Sequence, residues 1–286
     1  MDYENKLCIK IFSNKVFLKI KLHDTKIDLF KYFNNITEYD EINESEIENV
    51  VYITEEKNGN IIKISTNLIE NDYYLKTENK NLKQIELELF DYLNQLIRIA
   101  LKKDFYFLHA SMVEKNHEGF IIIGKTHSGK STIAINLLGY GYNYVTDDIV
   151  GINKKSGEVI GINKPIYIRN SNLVFTEKSE IKTIKINDNM SYYMYKSNYS
   201  KPLVLNSNLI LISRINQIND NPYKIKMLDG SDKILQILEN TFNEDINKNI
   251  ISDFIRLFKN KKIIKIEYYD NINIAKVIFD EGLFDL

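Results

Sequence analysis

Short extended stretches occupy the first 75 residues of the chain. Val16, Leu18, Ile20 and Leu22 are each separated by one residue, the period of a strand with one buried face. Leu7–Phe12, Val50–Thr54 and Ile61–Thr66 read as further short strands, with the acidic stretch Glu38–Glu48 between them as a solvated loop or helix face. From Leu82 to Leu101 the period changes. Leu82, Ile85, Leu89, Leu93, Leu96, Ile97 and Leu101 fall on one stripe of a helix. This helix is read as the join between a small N-terminal α+β domain, residues 1–100, and a larger domain, residues 101–286. In the larger part, Phe105–Glu114 predicts one strand, Asn116–Gly119 a turn, and Phe120–Ile123 a compact apolar strand.

Glycine placement marks where unusual backbone is needed. Of the 11 glycines, eight fall between Gly119 and Gly161, so tight turning and close approach to a ligand are concentrated in one block. Directly after Phe120–Ile123 stands Gly124-Lys125-Thr126-His127-Ser128-Gly129-Lys130-Ser131, the G-x-x-x-x-G-K-[ST] pattern of a phosphate-binding loop. Thr132–Leu138 then reads as a helix ended by Gly139. Two glycines let the loop curl so that backbone N–H groups converge on a phosphate at a helix N-terminus. Lys130 brings a full charge to the outer phosphates, and Ser131 offers a hydroxyl to Mg²⁺. Gly124, Lys125, Thr126, His127, Ser128, Gly129, Lys130, Ser131 and Thr132 are therefore the expected contacts of a nucleotide such as ATP.

One helix further on, Asp147 and Asp148 interrupt the β-prone run Tyr142–Val150. Adjacent carboxylates repel and resist burial unless paired. As a surface turn they would be unremarkable; beside a phosphate loop, one can hold Mg²⁺ or its waters while the other takes the proton of an attacking hydroxyl. His109 lies in an apolar strand, where a lone histidine is usually a satisfied core residue, yet that strand is the hairpin partner of the one feeding the loop. Arg169 and Arg214 could neutralise phosphate charge or make surface salt bridges. Tyr192, Tyr193, Tyr195 and Tyr199 cluster as a peptide-binding surface or a packed loop.

Composition narrows the partners. With 38 basic and 39 acidic residues the formal charge is −1, which argues against nucleic acid or an anionic membrane as partner. The apolar runs are far shorter than the ~20 residues that span a bilayer. No signal-peptide pattern is present, and the single cysteine, Cys8, has no internal partner. These features predict a cytoplasmic protein.

The segments LHASMVEKNHEGFIIIGKTHSGKST and GYNYVTDDIV together resemble the HPr kinase/phosphorylase superfamily, and more closely its kinase-like branch, in which a His-containing strand precedes a P-loop and paired aspartates follow. The Pro-containing run Lys164–Asn170 resembles a strand found after the aspartates there. The resemblance implies an α/β fold with a mixed sheet around the P-loop, of the phosphoenolpyruvate-carboxykinase type. It implies an ATP- and Mg²⁺-dependent kinase acting on a hydroxyl, serine above all, of a protein or peptide acceptor, a ribosomal natural-product precursor among them. Lys130, Asp147 and His109 would be catalytic, with Asp147 the base tuned by His109, and Ser131 and Asp148 the metal ligands. HPr kinases are oligomers, so self-association is also implied. The chain lacks the E-x-R-G-L-G-type signature of the bifunctional enzymes, which weighs against HPr and phosphorolysis. The alternative is a nucleotide-binding switch or ATPase. It lacks an N-K-x-D motif and leaves only a short interval between Ser131 and Asp147.

Overall fold

The alternation at Val16–Leu22 belongs to a long hairpin. In the computed structural model, β1 (Asp2–Ile11) and β2 (Asn14–His23) pair antiparallel along their length, Asp2 facing His23 and Ile11 facing Asn14. The structure describes residues 2–11, 14–23, 36–38, 49–56, 60–162, 166–169, 182–187, 190–194, 203–215, 222–242, 249–269 and 273–284. The chain divides into two units, Met1–Lys103 and Asp104–Leu286.

In the first unit, β3 (Ile36–Glu38), β4 (Asn49–Glu55), β5 (Ile61–Thr66) and β6 (Tyr73–Lys76) complete a six-stranded sheet ordered β3-β1-β2-β4-β5-β6. Val51, Ile53, Ile62 and Ile64 alternate with more exposed neighbours, so one face of β4 and β5 carries the core. α1 (Leu82–Leu101) starts at a capping box: Gln84 N–H donates to Asn81 Oδ1, and Asn81 N–H donates to Gln84 Oε1. The predicted stripe is buried from Ile85 onward, while Leu82, in the first turn, is exposed. Of the acidic stretch Glu38–Glu48, residues 39–48 lie outside the described residues.

The second unit contains β7 (Phe105–Leu108), β8 (Ala110–Lys115), β9 (Glu118–Ile123), α2 (Lys130–Leu138), β10 (Asn143–Thr146), β11 (Val150–Asn153), β12 (Val159–Gly161), β13 (Ile166–Arg169), β14 (Lys182–Asn187), β15 (Met190–Met194), β16 (Val204–Arg214), β17 (Tyr223–Leu228), α3 (Gly230–Glu239), α4 (Ile250–Phe258), β18 (Lys262–Tyr268) and α5 (Ile274–Asp280). Its main sheet runs β10-β8-β9-β16-β18-β17. β9, β16 and β18 are mutually parallel, and β10, β8 and β17 join antiparallel. The sheet is therefore mixed, as expected. β12-β11-β7 and β13-β15-β14 form two smaller sheets. Tyr192 and Tyr193 belong to β15, while Tyr195 and Tyr199 lie outside the described residues.

Helices cover both faces of the main sheet, which is why Phe120-Ile121-Ile122-Ile123 runs apolar without alternation. Ile121, Ile123, Leu209, Leu211 and Ile263 pack in one cluster with Ile237 of α3 and Phe254 and Phe258 of α4. Phe120, Ile122, Ile210, Ile212, Ile264 and Ile266 pack in the other, with Ile133 and Leu137 of α2 and Ile274 and Ile278 of α5.

The single strand expected over Phe105–Glu114 is two strands in different sheets. β7 pairs with β11, β8 pairs with β9, and His109 falls at the break. The His109 N–H donates to the Asn240 carbonyl at 2.7 Å instead of joining a sheet ladder. All four residues of β7 are buried, so nothing within the strand itself announces the change of partner. Among the described residues, no helix is long and apolar enough to cross a membrane.

Candidate active site

The loop begins where β9 ends, at the carboxyl edge of the parallel strands, the usual place for ligands in such sheets. Gly124 admits no side chain: a Cβ there would stand 2.5 Å from the Ile212 carbonyl oxygen and 2.6 Å from Ser128 Oγ. Gly129 takes φ +93°, and a Cβ would collide with the Tyr268 hydroxyl. That hydroxyl donates to the Ser128 carbonyl at 2.6 Å, so β18 braces the loop. Gly129→Ala is expected to lose ATP affinity and about 1–3 kcal/mol of stability from the strained φ. Calorimetry and thermal melts check this, and adding Tyr268→Phe should relieve the collision but not the backbone strain.

Lys130 folds back over the loop. Its Nζ donates to the Gly124 carbonyl at 2.9 Å and to the Lys125 carbonyl at 3.4 Å. Burial pushes its pKa down, while Asp148 and Asp147 act in the opposite direction. Among the described residues, Ser128 Oγ is buried without a hydrogen-bond partner. An orphaned hydroxyl, a charged amine and a glycine curl suit an anion with several acceptor oxygens. Lys125, Thr126 and His127 are exposed, His127 at φ +67°, and Ser131 and Thr132 are half-buried on the first turn of α2.

The two aspartates occupy different environments. Asp147 is 3% exposed and accepts hydroxyl hydrogen bonds from Ser111 at one oxygen and from Ser131 at the other, the latter at 2.8 Å. Asp148, at φ +72°, is partly open to solvent, with Oδ1 3.4 Å from His109 Nε2. The geometry thus puts Asp147 against the loop serine and Asp148 against the histidine. Ser131 with one carboxylate suits Mg²⁺, which keeps several waters and shares its site with phosphate oxygens. Among the described residues, no group of three or more His, Cys, Asp or Glu side chains forms a self-sufficient metal site.

A cavity of about 970 Å³ opens beside the loop, bordered by Gly124, Lys125, Thr126, His109, Asn240 and Phe242, with Ser213, Glu239 and Lys265 farther along. His109 reaches both this space and Asp148, and its ring lies nearly parallel to that of Phe242, centroids 6.1 Å apart. Arg214 comes to the same end of α2: its Nη2 would be 3.4 Å from a Cβ on Gly129. Arg169 ends β13, and its side chain lies outside the described residues. Sequence reading missed Ser111, Tyr268, Asn240 and Phe242. Only Ser111 carried a signal, two residues beyond His109 and opposite Ile122 in the hairpin.

A mixed α/β sheet that delivers a P-loop to its carboxyl edge defines the class of this unit. No family model matches the chain. Over 79 residues, 28% of this chain and 26% of the relative, it is 29% identical to the HPr kinase/phosphorylase of Malacoplasma penetrans. The match thus spans about a quarter of that protein's length. Among solved structures, the HPr(Ser) kinase/phosphatase from Coxiella burnetii matches 62% of this chain and 96% of its own, at TM-score 0.28 and 12% identity. Over the 79-residue segment the chain is similar to an HPr kinase/phosphorylase.

Proposed function

We propose that the protein is an ATP-dependent kinase that transfers the γ-phosphate to a hydroxyl, a serine of a protein or peptide. The observation that carries this reading is the meeting of Lys130, the Asp147–Ser131 pair and the Asp148–His109 pair around one loop. Simple phosphate binding has no need of a second, solvent-reachable carboxylate; activating an acceptor hydroxyl does. Mg²⁺, when bound, neutralises charge on the outer phosphates. Lys130 and the loop N–H groups hold and orient those phosphates.

The aspartate roles are proposed in the reverse of the sequence expectation. Asp147 is buried and already accepts from two hydroxyls, which suits it to holding Ser131 on the metal side. Asp148 is open and beside His109, which suits it to accept the hydroxyl proton as the acceptor oxygen bonds to the γ-phosphorus and the bond from that phosphorus to the ADP oxygen breaks, ADP leaving with the electron pair. His109 then orients that carboxylate.

The test supplies γ-labelled ATP and Mg²⁺ with serine-containing peptides and proteins. Label on a serine is the expected result. Free phosphate with no labelled acceptor across the set would favour the ATPase or switch reading.

A further inference from the structure

The loop is gripped by a residue far along the chain that the phosphate-site motif does not include. Asn240 caps the carboxyl end of α3. Its backbone carbonyl accepts from His109 N–H at 2.7 Å, and its side-chain Oδ1 accepts from Gly124 N–H at 3.1 Å. Its Nδ2 donates to the Gln236 carbonyl at 2.8 Å. The residues that follow are stitched to β7, with Thr241 bridging Leu108 and Phe242 N–H donating to the Phe107 carbonyl.

From this arrangement we infer that Asn240 is a positioning residue of the transfer reaction, fixing the first glycine of the phosphate loop and the histidine from one point. The inference rests on the kinase reading above. The carboxamide meets a donor on one side and an acceptor on the other, so both its orientation and its residue type are constrained. Aspartate would set a carboxylate against the Gln236 carbonyl, and alanine would leave the buried Gly124 N–H without its acceptor. The two grips also separate cleanly. His109 is held through the main chain, which a substitution keeps, whereas Gly124 is held through the side chain, which it removes.

Asn240→Ala is therefore expected to raise KM for ATP about tenfold, the value of roughly one hydrogen bond. It should change kcat less than threefold and leave the pH profile of transfer unchanged. Steady-state kinetics and ATP calorimetry on protein shown folded by circular dichroism provide the measurement, and Asn240→Ser is read by the same criteria if the alanine variant does not fold. A lower melting temperature with unchanged KM would reduce Asn240 to a structural cap and overturn the inference. A loss confined to kcat, or a shifted pH profile, would overturn it equally, since the effect would then lie at the proton acceptor. Wild-type protein that bound no ATP would overturn the kinase reading itself, whereas wild-type binding with variant affinity unchanged would overturn only the role of Asn240.

Discussion

Lys130→Met is expected to lower phosphoryl transfer by about 10²–10³-fold, the range seen when one preorganised stabiliser of developing charge is removed. Methionine keeps much of the buried stem and removes the ammonium. ATP binding should weaken as well, because Lys130 contributes a full positive charge where its surroundings are already desolvated. The substitution also deprives the Gly124 and Lys125 carbonyls of their donor. Thermal melts must therefore accompany the kinetics, so that a loosened loop is distinguished from a missing charge. Near-wild-type transfer by a folded Lys130→Met protein would show that the loop is not the phosphate site of the reaction.

The parts of this site that could be read in the sequence are those made of consecutive residues. Gly124 to Ser131 form one curl feeding one helix, so a strand, a loop and a helix follow directly from an eight-residue pattern. Tyr268 and Asn240 are different. Each touches the loop from more than a hundred residues away, and neither belongs to a local pattern that ties it to phosphate. They arrive because β18 lies beside β16, which in turn lies beside β9, and because α3 ends against β7. The mixed sheet was legible only through resemblance, since a run such as Phe120–Ile123, covered on both faces, does not disclose the direction of its neighbours. The break at His109 was hidden for the same reason.

Asp147 and Asp148 are neighbours in sequence but face different partners, and their substitution gives the second large effect. The positive φ of Asp148 accompanies the separation of the pair, one carboxylate against buried hydroxyls and the other against the histidine. Asp148→Asn is expected to cut transfer by about 10²–10⁴-fold, the usual worth of a positioned proton acceptor, with ATP affinity nearly unchanged. Asp147→Asn should behave otherwise. An amide offers an acceptor oxygen on one side only, so either Ser111 or Ser131 loses the acceptor for its hydroxyl and must reverse its hydrogen bond. The Mg²⁺ concentration for half-maximal transfer should then rise about 10–100-fold, as when a ligand-orienting group is lost, and excess Mg²⁺ should restore much of the rate. Titrating Mg²⁺ against transfer in both variants separates the roles: rescue of Asp148→Asn and failure to rescue Asp147→Asn would reverse them. A double variant adds a further check. If the two carboxylates act at different steps, Ser111→Ala should deepen the Mg²⁺ requirement of wild type and leave Asp148→Asn no slower at saturating Mg²⁺.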